Sequence, residues 1–256
     1  MAMGERGGCA VVVGGSRGIG RAVCAALAPS WATVAVVYQR DTEAAAAAAA
    51  EIEVLGARAL TVQADIRDAA ATAAAIDGIA AAAGGIDLLV HSAGAHSAWK
   101  PVRDLGAGEW SGLIDVDLNG FFNVVSPVLR VMHGQRRGNV VAITSIAARA
   151  CSPRSAQTAA AKAGVEAMIR VIAREEGRYG IRANAVSAGL TDTEQGREAM
   201  QLWGEDMTRR VLAQSAIQRI GTADEVAQVV AFLASPASSY VTGRVIPADG
   251  GQFISA

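Results

Sequence analysis

A doubly wound α/β fold, with one parallel sheet covered by helices on both faces, is what this sequence predicts, and three observations carry the prediction. Short apolar runs alternate along the whole chain with longer alanine-rich segments, the pattern of repeated βαβ units. Alanine and valine carry most of the hydrophobic total, which favours helices packed close on a sheet covered on both faces. No proline- or serine-rich linker divides the 256 residues, so 1–256 reads as a single domain.

The elements follow in order. "CAVVVGG" reads as the first strand and "GRAVCAALA" as the first helix; "ATVAVVY" and "TEAAAAAAAEIEVL" repeat the pair. The alanine run Ala44 to Ala50 has high helix propensity and is flanked by Glu43, Glu51 and Glu53, which reads as an exposed helix. "ARALTVQAD", "AATAAAIDGIAAAA" and "IDLLVHSAG" supply the third strand, third helix and fourth strand. A long helix from about Trp110 to His133, a strand "GNVVAITS" and a helix from about Ala156 to Arg178 come next. The strand "IRANAVSAG", the helix "ADEVAQVVAFLA" and the strand "GRVIPADGG" close the pattern. One long insertion remains, "TDTEQGREAMQLWGEDMTRRVLAQS" at about 191–215, and such a segment is expected to cover a site as a lid.

Composition narrows the partners. Hydrophobic residues make up 52% of the chain but aromatics only 4%, so alanine and valine supply most of the apolar surface and favour close packing of helix on sheet. The formal charge is -1 with Lys and Arg scattered, which removes the electrostatic reason to expect nucleic acid or a membrane surface and leaves a small molecule as the partner. Cys9, Cys24 and Cys151 match neither a metal-ligand spacing nor a disulfide framework, so the chain reads as metal-free and cytoplasmic. The N-terminus lacks a signal-peptide succession, and no apolar run reaches the length of a membrane span.

The first turn points to a dinucleotide. "VVVGGSRGIGR", Val11 to Arg21, places Gly14, Gly18 and Gly20 between strand and helix, where glycines allow a tight turn, close approach of the backbone to a pyrophosphate, and an open helix N-terminus. Packing helix against sheet is the alternative use of such a turn. Cofactor type is set at the end of the second strand, where an acid would bond the ribose 2′-hydroxyl of NAD. Tyr38 holds that position, Gln39 and Arg40 follow, and Arg17 stands in the glycine turn; two cations near a 2′-phosphate favour NADPH, while Asp41 reads as the cap of the next helix.

The glycine spacing, the "HSAG" after strand four, Ser145 after strand five and Lys162 on the following helix together resemble the classical short-chain dehydrogenase/reductases. The likeness is closest to the 3-oxoacyl-carrier-protein reductase branch and runs through "QRIGTADEVAQVVAFLASPASSYVTGRVIPADGG". It implies a Rossmann-type fold, an NADPH-dependent oxidoreductase of carbonyl or hydroxyl groups, and a homotetramer or homodimer. The cofactor site it implies comprises Gly14, Ser16, Arg17, Gly18, Ile19, Gly20, Tyr38, Arg40, Asp65, Ile66, Ser92, Ala93, Gly94, Lys162, Gly189, Thr191 and Thr193, with Ile181 nearby. Val186 to Thr193 occupies the family's Pro-Gly loop, with Ala188 in place of proline.

Family chemistry uses a serine to polarise the carbonyl, a tyrosine to move the proton, a lysine to hold the ribose, and an asparagine to anchor a relay water. Ser145 and Lys162 match. Thirteen residues beyond Ser145, where the tyrosine belongs, stands Thr158; Asp117 takes the asparagine position, and His91 the first asparagine of "NNAG". Thr158 and Lys162 are four apart and share a helical face. An alkanol ionises far above a phenol's pKa of about 10 and ends a ring's length short, so Thr158 cannot replace the tyrosine as acid, a role worth ~10²- to 10⁴-fold.

His96, in the loop after strand four, is the candidate replacement donor, or else a solvated loop residue. His91 is expected to hydrogen-bond within the sheet end, and His133 to sit at a surface helix end. Asp117 would pair with Lys162, act as a base, or hold the water that asparagine holds. Tyr179 and Tyr240 lie in structural segments, and Cys151, Arg149 and Arg154 in a segment expected to line the pocket. Trp99, Trp110 and Trp203 read as packing or lid residues. Two function classes stay open on the residues alone. One is a reductase with an altered proton path; the other binds NADP(H) but serves as a cyclase, isomerase or dehydratase, or as a non-catalytic partner of a related active subunit.

Overall fold

The computed structural model describes residues 7–254; residues 1–6, which begin the stretch read above for a targeting signal, lie outside them. Seven strands, β1 (Cys9–Val13), β2 (Thr33–Tyr38), β3 (Arg58–Gln63), β4 (Leu88–His91), β5 (Gly138–Ser145), β6 (Ile181–Ala188) and, last in the chain, β9 (Val245–Ala248), form one sheet. Its order is β3-β2-β1-β4-β5-β6-β9, and every pair is parallel. Short β7 (Thr191–Asp192) and β8 (Gly221–Thr222) pair separately. The order reverses between β1 and β4, and in open parallel sheets ligands bind at the strand C-termini beside such a reversal.

Alternate residues of β1 show how the two layers arise. Val11 and Val13 face one core with Phe121, Val124, Val128, Val165 and Ile169, carried by α5 (Gly120–Gln135) and α7 (Ala156–Glu176), and with Ile76 and Ile79 of α3 (Ala69–Ala83). Ala10 and Val12 face the other core, with Val23 and Leu27 of α1 (Gly18–Leu27), Ile52 of α2 (Thr42–Val54), and Val230 and Leu233 of α9 (Ala223–Ala234). The alanine-rich α2, expected to be exposed, instead buries Ala45, Ala48 and Ile52. Alanine's small side chain lets that face sit close on the sheet while the glutamates stay in water.

Two breaks in regular helix bear on the site. The helix expected from Trp110 starts earlier, as α4 (Ala107–Ile114), because the Glu109 carboxylate accepts from Gly106 N at 3.0 Å and holds the first turn. It runs into a π-helical turn, Asp115–Asn119, and then α5. The wider turn carries Asp117, which is buried. The short α6 (Ala147–Ala150) follows β5. Helix α8 (Glu194–Ala213) spans the expected lid segment, buries no residue, and is broken at Gly204 (φ 75°, ψ 170°). Among the described residues no helix is long and apolar enough to cross a membrane.

Candidate active site

An open cleft of about 500 Å³ runs along the C-terminal ends of the strands, from Tyr38 and Asp65 beyond β2 and β3 to Ser145, Thr158 and Lys162 at β5 and α7. The strands β3 to β5 are four spacings apart in the sheet, about 19 Å, a length suited to an extended ligand. Gly14 makes the turn after β1 at φ 77°, and a Cβ there would lie 2.9 Å from Ala93 N. The backbone after β1 thus presses against the chain leaving β4, and the α1 N-terminus opens onto the cleft. Arg17, at the N-cap, is extended and places no side chain on the first-turn amides, and no acid stands in that turn. Those free N–H groups and the positive end of the helix dipole fit a pyrophosphate.

Charges at the β2–β3 end are already paired. Arg17 reaches Asp41 and, at 3.0 Å, Glu194 at the start of α8. Asp41 also accepts from Ala44 N at 2.8 Å, as the helix cap read from the sequence. Hydrogen bonds from Arg67 hold the Asp65 carboxyl well below the usual range, and Gln39 Nε2 donates to it at 3.0 Å. Arg40 is exposed and lies off the cleft wall.

The opposite end holds the candidate catalytic residues. Ser145 Oγ accepts from Ala147 N at 3.2 Å, which leaves its proton to donate into the cleft. Lys162 Nζ lies 2.9 Å from Asp117 Oδ2, with both side chains nearly fully buried. Asp117 Oδ1 accepts from Ala95 N at 2.7 Å, so this carboxylate ties the π turn to α7 and to the loop after β4. Thr158 faces the cleft one turn before Lys162. His91 is buried edge-on against Phe121, 5.2 Å between ring centres. Burial, then the nearby Lys162 charge, pushes its pKa down to about 3, so the ring is neutral. Its Nε2 has no hydrogen-bond partner, while the ring bonds to its own backbone at the sheet end, as expected.

The mouth is stitched by α8. Gln195 Nε2 donates to Ala95 O at 3.0 Å, His96 Nδ1 lies 2.7 Å from Glu198, and Trp99 packs on Trp203 at 5.0 Å between ring centres. From below, Gln157 accepts from Ala98 N at 3.1 Å and donates to Glu109 O. Buried Glu166 accepts from Thr144 Oγ1 at 3.2 Å and from Arg149 Nε at 3.5 Å, next to Ser145.

The structure thus brings Ser145, Thr158, Lys162 and Asp117 to one end of the cleft and His96 to its mouth. It brings Gly14, Ser16, Arg17, Gly18, Ile19, Tyr38, Asp65, Ile66, Ser92, Ala93, Gly94, Thr191 and Thr193 to the same cleft. Gly20 packs instead under Gly14 O, and Gly189 against Asp249. Ile181 begins β6 opposite Gly138, in the core at the far end of the strands, and cannot reach a ligand. The segment with Arg149, Cys151 and Arg154 lies off the wall, because the chain turns away through left-handed Cys151 and Arg154. Tyr240 is fully exposed, and Tyr179 stacks on His133, which pairs with Glu176. Trp110 is exposed. Gln157, Gln195 and Glu198 are the contributors that sequence reading passed over. Gln157 and Gln195 act on backbone 59 and 100 residues away, separations that leave no local signal. No group of His, Cys, Asp and Glu able to hold a metal occurs among the described residues.

Known proteins resemble this chain over nearly its whole length. A family model described as enoyl-(acyl carrier protein) reductase matches residues 13–252. A 3-oxoacyl-[acyl-carrier-protein] reductase of Staphylococcus epidermidis is 33% identical over 245 residues, 96% of this chain and 98% of the relative. One from Synechocystis is 35% identical over 249 residues, 95% of this chain and 96% of its own. The crystal structure of levodione reductase superposes with a TM-score of 0.91 at 32% identity, covering 95% of this chain and 96% of that one.

Proposed function

Since the chain belongs to the classical short-chain dehydrogenase/reductases, on the 3-oxoacyl-carrier-protein reductase branch, and is thereby an NAD(P)-dependent oxidoreductase, we propose that it reduces the carbonyl of a small organic or acyl substrate with NADPH, by a proton path that uses no phenol. The observation that carries this reading is the continuous cleft from Tyr38 to Ser145 and Lys162, with no acid at the end of β2. When bound, the nicotinamide supplies hydride; the chain's own residues do the rest. The amides of the α1 N-terminus and Arg17 bind phosphates, and the absence of a carboxylate at Tyr38 leaves room for a 2′-phosphate. The Ser145 hydroxyl donates to the carbonyl oxygen and stabilises the charge that develops there. Helix α8, as a lid, keeps water from the reacting atoms.

Acyl-carrier-protein reductases among the relatives support a 3-oxoacyl thioester as the substrate to try first. Phe122 on α5 and Val171 on α7 are large apolar side chains left exposed, which supports assembly of several copies, a dimer or tetramer, as the working form. Cys9, Cys24 and Cys151 are free thiols, which suits a cytoplasmic enzyme. The test is NADPH consumption by the purified chain on a panel of 3-oxoacyl thioesters, ketones and diketones, with NADH alongside. Steady oxidation of NADPH in preference to NADH is expected. If neither cofactor is consumed on any member of the panel, the reductase reading fails.

A further inference from the structure

The proton in this reduction must come from a group other than a tyrosine, and the cleft holds few candidates. Tyr38 ends β2, three strand spacings or about 14 Å from β5 and Ser145. Glu194 is taken by Arg17 at the start of α8. His96 is largely exposed at the mouth and turned to Glu198. His91 is neutral, buried beneath the wall and packed against Phe121, and its place is within β4 rather than on the cleft surface. That leaves the pair at the floor. Both oxygens of Asp117 are engaged, one by Ala95 N at 2.7 Å and one by Lys162 at 2.9 Å, so the carboxylate is fixed and Lys162 is the proton-bearing member that faces the cleft.

Building on the reductase reading above, we infer that the Lys162 ammonium is the general acid of this site, and that Asp117 positions it. Where the family carries a phenol, position 158 here lines the cleft with a shorter threonine on the same helical face as Lys162, one turn earlier. Gly94 borders the pair without covering it: a Cβ there would stand 3.6 Å from Lys162 Nζ and 3.7 Å from both Asp117 oxygens. With a nicotinamide held in the cleft, its hydride would form the C–H bond at the carbonyl carbon while the C=O π pair moved to oxygen. One Nζ–H bond of Lys162 breaks as the O–H bond forms. The carbonyl is reduced, the nicotinamide oxidised, and the neutral lysine regains a proton from water once product leaves.

Lys100 and Lys162 are the only two lysines in the sequence, and Lys100 is paired with Glu109 outside the cleft, which makes the test clean. The full chain is compared with Lys162→Arg, Lys162→Ala and Asp117→Asn, each measured for NADPH binding by fluorescence and for single-turnover hydride transfer to a carbonyl the parent reduces. A guanidinium keeps the charge and the hydrogen bonds but does not release a proton. Lys162→Arg is therefore expected to bind NADPH within about threefold of the parent and to lose hydride transfer by about a hundredfold. Lys162→Ala is expected to regain transfer in added ethylammonium, in proportion to its concentration. Asp117→Asn is expected to slow transfer about tenfold with NADPH binding retained, and to change the pH profile of transfer. The inference is overturned if Lys162→Arg keeps pace with the parent, or if ethylammonium has no effect on Lys162→Ala while NADPH still binds. If the parent itself transfers no hydride, it is the reductase reading that falls, and the inference with it.

Discussion

Trp99 packs on Trp203 with 5.0 Å between ring centres and 36° between planes, joining the loop after β4 to helix α8 across the cleft mouth. Aromatic pairs of this kind are worth about 0.5–1.5 kcal/mol beyond burial. Trp203→Leu is expected to raise KM for an acyl substrate by roughly two- to tenfold with little change in thermal stability, and to remove the near-ultraviolet circular dichroism of the pair. An unchanged KM would show that α8 does not close over substrate.

Arg17 is the cation of the glycine turn, shared between Asp41 and Glu194. A 2′-phosphate would compete for the same guanidinium, and hydrogen bonds to charged groups are worth about 1.5–3 kcal/mol. Arg17→Ala is expected to weaken NADPH binding about tenfold, exposure holding the loss to the low end, and to leave NADH binding nearly unchanged. Equal losses for the two cofactors in calorimetric titration would remove Arg17 from the phosphate site.

His91 makes stability depend on acid. Its folded pKa of about 3 lies below the ordinary histidine value of 6.5, so the unfolded chain binds the proton first as pH falls. The contribution of the neutral ring is intact above pH about 6.5, begins to decline below it, and is lost progressively as pH approaches 3. Between pH 6.5 and 5 the difference amounts to about 2 kcal/mol. Denaturant unfolding of the parent and of His91→Asn at those two pH values is expected to show this much extra loss in the parent alone. Parallel losses in both would mean that His91 does not control the acid limb.

Thr158→Tyr returns a phenol to the helical face that carries Lys162. Because Lys162 already supplies general-acid assistance in the parent, it is expected to raise kcat for carbonyl reduction by only about tenfold, with NADPH affinity unchanged. A kcat equal to or below the parent's would show that the native proton path is already as fast as a phenol's.

The fold was legible because its signals are local. The alternation of "CAVVVGG" with "GRAVCAALA" reports a strand and a helix within a few residues, and the parallel order follows from repeating it. The family spacing likewise led to Ser145, Thr158, Lys162 and Asp117, all found on one wall. The partnership at that wall was harder to read: Asp117 had three uses open to it, and only the π turn, a geometry with no compositional mark, brings it to Lys162 and Ala95 together. Ile181 shows the opposite failure. It begins a strand whose other end reaches the cleft, and position in sequence does not say which end of a strand faces a ligand.

Gly204 gives the chain a joint. Residues before it, Glu194 to Trp203, carry every contact that α8 makes to the cleft and its mouth. Those after it, 205–213, turn away at a backbone setting open almost only to glycine. The two halves can therefore diverge on separate schedules. The near half is tied to the cleft and its mouth through Glu194, Gln195 and Glu198, while the far half can be lengthened, trimmed or exchanged without removing a contact to the cleft.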